Sequence, residues 1–188
     1  MHAATKYIGG HSDVLSGLIL ASEATFPALH RLWTDMGVTA SSDDSFLALR
    51  GLRTLPLRLA RHVDSALEIA QWLKTRPEVR EVIYPALPAR AATSCGSAIS
   101  SARRDCSRSC SNPWPRRAST RCSTACGLFC MGWSWGGFES LIIPTYPERV
   151  QTATTWDAGG PCLRLAIGLE DPGDLIADLS EGLARLSG

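Results

Sequence analysis

From about Pro88 to about Cys126 the chain is crowded with Ser, Arg, Cys, Ala and Thr, carries almost no Leu, Ile or Val, and shows neither a helical nor a strand period. Such a stretch offers little apolar surface, so a core has to be built by the segments on either side of it. The 188 residues suffice for one domain, which at this size buries about 70% of its unfolded surface, or for a piece of something larger.

The flanking segments are ordinary by comparison. "VLSGLILAS" reads as a buried strand bounded by glycine and by a polar turn at Ser22 and Glu23. "FPALHRLWTDMG" reads as a short helix stopped by Gly37, and "SSDDSFLALRGLRTLPLRLARHVDSALEIAQWLKTRP" as a capped helical run with a break before Pro56. In that run Leu59, Ala60, Val63, Ala66, Leu67, Ala70 and Leu73 share one face, with Arg58, Arg61 and Glu68 off it. "EVREVIYP", "FESLIIP" and "CLRLAIGLE" follow as strands. "DPGDLIADLSEGLARLSG" closes as a helix, with Asp171 as N-cap, Pro172 at the first position and Leu175, Leu179, Leu183 and Leu186 on its apolar stripe. The order of elements is that of an α/β or α+β protein.

Lys plus Arg total 19 against 18 acidic residues, which gives no electrostatic ground for nucleic acid or an anionic membrane as partner. The longest apolar runs, "LIIP" and "LILA", fall far short of the roughly 20 residues of a membrane span. No charged segment followed by an apolar one opens the chain, so a soluble, cytoplasmic protein is expected.

Chemistry enters with "ATKYIGGHSD". A lysine becomes an imine-forming nucleophile when its amine is held rigidly and its ammonium is disfavoured by burial or neighbouring charge. Lys6 has the hydroxyl of Thr5 beside it and glycines that permit close backbone approach. Taken alone, it reads equally as a solvated surface residue. Likewise Trp133 and Trp135 could be core packing, and Arg164 a surface residue.

As an ordered set the motifs say more. "TKYIGGHSDVLSG" closely resembles the cofactor-lysine segment of the Cys/Met-metabolism family of pyridoxal-phosphate enzymes. The stretch from Cys130-Met131-Gly132 through "WSWGGFESLIIP" resembles that family's substrate motif, and "LRLAIGLEDPGDLIADL" its terminal strand and helix. The resemblance covers residues 1 to about 88 and 127 to 188. The Ser-Trp form of the second motif is most similar to the bacterial cystathionine beta-lyases. Relatives that act at the gamma carbon tend to carry leucine where Trp135 stands.

The resemblance implies the aminotransferase-like architecture known as fold type I. Residues 1–50 would be the end of the cofactor-binding large domain, and 51–188 the small C-terminal α+β domain, with 88–127 aberrant and disordered. It implies pyridoxal 5'-phosphate as cofactor, Lys6 as the Schiff-base lysine and Thr5 as a phosphate contact. Arg164 would bind the substrate carboxylate, for which a planar guanidinium is suited because it binds bidentately, and Ser134 and Trp135 would line the pocket. The implied reaction is carbon-sulfur beta-elimination from a sulfur amino acid, cystathionine giving homocysteine, pyruvate and ammonia in a tetrameric enzyme. In that family the lysine lies near the middle of a chain about twice as long. The chain therefore resembles a C-terminal half, inactive by itself. A non-catalytic remnant that pairs with an intact paralogue is the alternative.

The odd window has an explanation at the level of the gene. "ATSCGSAIS", Ala92 to Ser100, can be encoded by GCC ACG AGC TGT GGA AGC GCG ATT TC; with one G in front the same bases read "GHELWKRDF", which resembles the family at this point. Continued over 101–126, that frame permits "IGAAGLFSVVLEPVAEARVDAMLDGL", with a Val-Val-Leu strand followed by a helical pattern. Two compensating frame changes, near Pro88 and near Gly127, would account for it. Six of the seven cysteines lie between Cys95 and Cys130, and cysteines arise readily when GC-rich codons are read out of frame. Their C-x3-C spacings differ from the two-residue spacing that zinc ribbons favour, so no metal site is expected and a Cys-rich metal module is the least favoured alternative.

Overall fold

The computed structural model describes residues 1–87, the backbone of 106–111, and residues 122–146, 152 and 162–185. It divides into two compact units, Met1–Leu57 and Arg58–Gly188, whereas the motifs place the division between residues 50 and 51.

In the first unit, β1 (His2–Ala3) pairs antiparallel with β2 (Gly17–Leu18), with His2 opposite Leu18. A single wide helical turn, Ala4–Ile8, lies between them. Helix α1 (Phe26–Met36) has Pro27 in its first turn and ends at Gly37, whose φ of 63° is the left-handed conformation that glycine adopts without penalty. The expectation of a buried strand over "VLSGLILAS" needs correction. Only Gly17 and Leu18 are strand, and Leu18, Ile19 and Leu20 are 40%, 62% and 80% exposed. The apolar run finds only the two residues of β1 to pair with in this unit.

Helix α2 (Ser42–Leu73) runs through both units. The Ser41 hydroxyl accepts from the Asp44 amide at 3.0 Å, and Asp43 and Asp44 set negative charge against the positive end of the helix dipole. The expected break before Pro56 does not occur. Proline removes one backbone donor from the ladder, and a helix of 32 residues tolerates that loss. The buried face is also rotated from the expected one. Arg58, His62, Ser65, Ala66, Ile69, Ala70 and Leu73 are buried, while Ala60 is exposed and Leu59, Val63 and Leu67 lie at the margin. His62 explains part of the rotation: its Nδ1 meets the Ile167 carbonyl at 2.8 Å, so a polar ring is accommodated in the interior.

The second unit is built on a five-stranded sheet of order β3-β4-β7-β6-β5. Its strands are β3 (Val79–Ile83), β4 (Cys106–Ser111), β5 (Cys130–Met131), β6 (Leu141–Thr145) and β7 (Cys162–Ala166). All neighbours are antiparallel except β5 and β6. Helix α3 (Pro172–Ala184) begins at Asp171, whose carboxylate accepts from the Gly173 amide at 2.8 Å, as expected for the N-cap. Its Leu175, Leu179 and Leu183 pack with Ile69 and Leu73 of α2 against Ile142, Leu163 and Leu165 of the sheet. Leu186 lies outside the described residues.

Strand β4 corrects a further expectation. The segment without strand period nevertheless supplies a six-residue strand between β3 and β7, with Arg108 opposite Arg164. Ladder hydrogen bonds use backbone groups only, so a slot between two strands can be filled without side-chain alternation. Residues 88–105 and 112–121 of that segment lie outside the described residues.

Candidate functional site

Lys6 occupies the middle of the Ala4–Ile8 turn and is half-buried. The turn closes through Gly9 N to Ala4 O at 2.7 Å and Gly10 N to Lys6 O at 2.8 Å, and Lys6 itself departs from helical geometry at φ −88°, ψ −120°. Two glycines make this possible. A Cβ at Gly9 would lie 2.7 Å from Val14 Cγ1, and one at Gly51 on α2 would run into the Ile8 and Gly9 carbonyls. Helix α2 is thus packed backbone to backbone against the lysine turn, and an Arg50–Asp13 ion pair ties the following loop to the same helix.

Thr5 is held by Ser16. Its hydroxyl donates to Ser16 O at 3.2 Å and accepts from Ser16 N at 3.0 Å, while the Thr5 amide donates to the same carbonyl. One side chain thereby locks the residue before Lys6 to the strand that returns beside it.

In the second unit Arg164 stands on β7 between Leu163 and Leu165, whose side chains enter the core, so period-two geometry sends its own to the opposite face. There Nη2 donates to Ser134 O at 3.0 Å and Gly132 O at 3.3 Å. The guanidinium carbon lies 5.6 Å from the Trp135 ring centre and 5.9 Å from that of Trp133, within cation–π range of both. Nε is buried and, among the described residues, has no hydrogen-bond partner. Core packing is not the role of these tryptophans: Trp133 is 74% exposed and Trp135 38%.

Two carboxylates that sequence inspection does not single out hold the loop bearing these groups. Asp178 on α3 accepts from the amides of Gly127, Leu128 and Phe129 at 2.6, 2.9 and 3.0 Å. Glu170 accepts from Ser140 N at 2.7 Å and Ser140 Oγ at 2.8 Å, and that hydroxyl oxygen accepts from Gly168 N at 2.8 Å. Both join segments 28 to 51 residues apart, beyond the reach of any local pattern.

Two thiols lie where burial disfavours their ionisation. Burial pushes the Cys122 thiol up to about 11, and burial with Cys122, Asp178 and Glu181 nearby pushes Cys126 up to about 12. Among the described residues no three His, Cys, Asp or Glu side chains gather as a metal site.

The residues singled out from the sequence thus fall into two groups. Lys6 and Thr5 lie in the first unit; Arg164, Ser134 and Trp135 come together in the second.

Residues 1–184 match the family described as Cys/Met metabolism PLP-dependent enzyme. The chain belongs to that family. It is 42% identical to a cystathionine beta-lyase of Bordetella avium, over 97% of this chain and 46% of the relative. It is 38% identical to an L-alanine/L-glutamate racemase of Wolbachia pipientis, over 99% of this chain and 47% of the relative. Among solved structures it superposes on a cystathionine gamma synthase from Xanthomonas oryzae, in complex with aminoacrylate and cysteine, with a TM-score of 0.84 and 31% identity. That superposition covers 99% of this chain and 49% of the other. The chain therefore spans about half the length of the relatives it matches and corresponds to the C-terminal half of the fold type I architecture.

Pyridoxal 5'-phosphate is the cofactor of the Cys/Met-metabolism family. The residues present fit it: the lysine turn is braced by Gly51, and the residue before Lys6 carries a hydroxyl held in place by Ser16. No helix among the described residues is long and apolar enough to cross a membrane.

Proposed function

We propose that the chain is the C-terminal half of a pyridoxal-phosphate-dependent carbon-sulfur beta-lyase that converts cystathionine to homocysteine, pyruvate and ammonia. The first unit is the end of the large domain, the second the small C-terminal domain, and the intact enzyme a cytoplasmic homotetramer. The observation that carries the reading is the Arg164 guanidinium: two carbonyls tie down Nη2, two indoles face it, and the buried Nε is left for a ligand.

When bound, the cofactor supplies the electron sink that lets an amino acid lose its α proton and then its β substituent. The residues of this chain do the rest. Lys6 Nζ is the group that would hold the cofactor and, once freed by substrate, would take the α proton and deliver it to the departing sulfur. Arg164 fixes the substrate carboxylate through Nε and its remaining terminal donors, which orients the α carbon. Ser134 and Trp135 line the pocket and exclude water from it. Thr5 contacts the phosphate by turning its proton from Ser16 O to the anion while it still accepts from Ser16 N.

The isolated chain lacks turnover, because the remainder of the cofactor cradle belongs to the half it does not span. The test combines labelling with product analysis. Pyridoxal phosphate followed by borohydride should leave a pyridoxyl adduct on the tryptic peptide of Lys6 and none in Lys6→Ala. Labelling spread evenly over Lys6 and Lys74 would sink the assignment. Activity is read on the chain joined to the N-terminal half of a relative. Pyruvate and a thiol from cystathionine support the lyase, while alanine racemisation without pyruvate would shift the reading toward the racemase relative.

A further inference from the structure

Six of the seven cysteines lie between Cys95 and Cys130, and the seventh, Cys162, lies in the strand motif that carries Arg164. The sheet brings the two groups together. In the antiparallel pair of β4 and β7, Cys110 stands directly opposite Cys162. Directly opposite positions of such a pair share a face of the sheet, with Cα atoms about 4.5 or 5.5 Å apart according to whether the two residues exchange hydrogen bonds. Both separations fall inside the roughly 4.4–6.8 Å that a disulfide spans. The backbone register alone therefore meets the Cα requirement for a disulfide between these two residues.

Cys162 is held in place. It is 1% exposed, and the hydroxyl of Thr145, its register partner on β6, donates to its carbonyl at 3.1 Å. By the period of two it shares the face of Arg164 and not that of Leu163 and Leu165. Strand β4 has much to gain from a link to it. Its six residues include no branched apolar or aromatic residue, and Arg108 opposite Arg164 sets like charges across from each other, which is destabilising.

We propose that Cys110 and Cys162 are a redox pair that oxidises to a cross-strand disulfide and clamps β4 to the strand that carries Arg164. Each thiol gives up its proton and one S–S bond forms. The two electrons and two protons pass to an oxidant of the peroxide, disulfide or diazene class, which is reduced to water, two thiols or a hydrazine. The bond closes a loop of roughly fifty residues and so restricts the unfolded chain as well as holding the strand. In a reducing compartment the pair rests as thiols, and the disulfide marks oxidising conditions. Neither the cofactor nor the substrate reading enters this inference.

The test treats the folded chain with diamide and digests it with trypsin in the absence of reductant. Cys106, Cys110 and Cys162 fall in separate peptides, 105–108, 109–116 and 150–164. Expected is a conjugate of 109–116 with 150–164 that accounts for most of Cys162, is absent from Cys110→Ser, persists in Cys106→Ser and is cleaved by dithiothreitol. The peptide map of the parent decides the pairing even where a variant folds poorly. Hydrogen exchange reads the consequence: amides of 106–111 and 162–166 should slow about tenfold on oxidation and recover on reduction, with no such change in Cys110→Ser treated alike. Recovery of Cys162 as a thiol after diamide, or its spread over several partner cysteines, overturns the pair. A conjugate that forms without slowing exchange overturns the clamp.

Discussion

A carboxylate that accepts from three consecutive backbone amides, as Asp178 does from Gly127, Leu128 and Phe129, is difficult to replace. Removing it leaves donors without their acceptor, at a cost of about 1–3 kcal/mol for each that stays buried. Asp178→Ala is therefore expected to lower unfolding stability by roughly 3 kcal/mol, and Asp178→Asn, which keeps one acceptor, by less. Urea denaturation checks both, and equal stability of the three proteins would show that water replaces the carboxylate. The cysteines give a pH dependence. Their thiols ionise from about 9 in the unfolded chain but only near 11 and 12 in the folded one. The unfolded state therefore binds fewer protons at alkaline pH, so their contribution is whole below about pH 9 and is lost as pH rises through 11–12. Denaturant midpoints between pH 8 and 11 should fall less steeply in the Cys122→Ala/Cys126→Ala double variant than in the parent. A parallel fall in both would assign the alkaline loss to other groups.

Among the elements, β4 is where sequence and position disagree. It lies between β3 and β7, at a place in the sheet where apolar and β-branched residues are usual, yet it reads Cys-Ser-Arg-Ser-Cys-Ser. The alternative frame permits Leu-Phe-Ser-Val-Val-Leu at these same six positions. The structure thus starts and stops a strand where the shifted reading has its apolar run. Exchanging the six residues together (Cys106→Leu, Ser107→Phe, Arg108→Ser, Ser109→Val, Cys110→Val, Ser111→Leu) is expected to raise stability by about 3 kcal/mol or more, given about 1.5–3 kcal/mol for each large apolar side chain fully buried. A drop in the urea midpoint would falsify the view that this slot was made for an apolar strand. Helix α1 shows the converse. Its proline start and glycine stop were legible because caps are local, but whether its apolar stripe meets a partner was not.

For the molecule as a whole, the first unit has few buried apolar residues, among them Ala4, Ile8 and Val14, while the second has a continuous core. Calorimetry should therefore show two transitions, the first unit melting at lower temperature, and a single two-state transition would mean that α2 couples them fully. What the sequence by itself determined is what local chemistry encodes: the family motifs around Lys6 and Trp135, the limits of α1, and the start of α3 at its Asp171 cap. The tertiary structure alone decided which face of α2 is buried, that Pro56 interrupts nothing, that β4 is a strand, and that Arg164 stands against two indoles and two carbonyls. It also decided that Asp178 and Glu170 hold the loop carrying those groups. The division has a physical cause. Caps and periodicities act over a few residues, whereas burial and hydrogen-bond partners depend on segments tens of residues away. An apolar stripe in a sequence records the need for a neighbour, and only packed coordinates show whether this chain provides it.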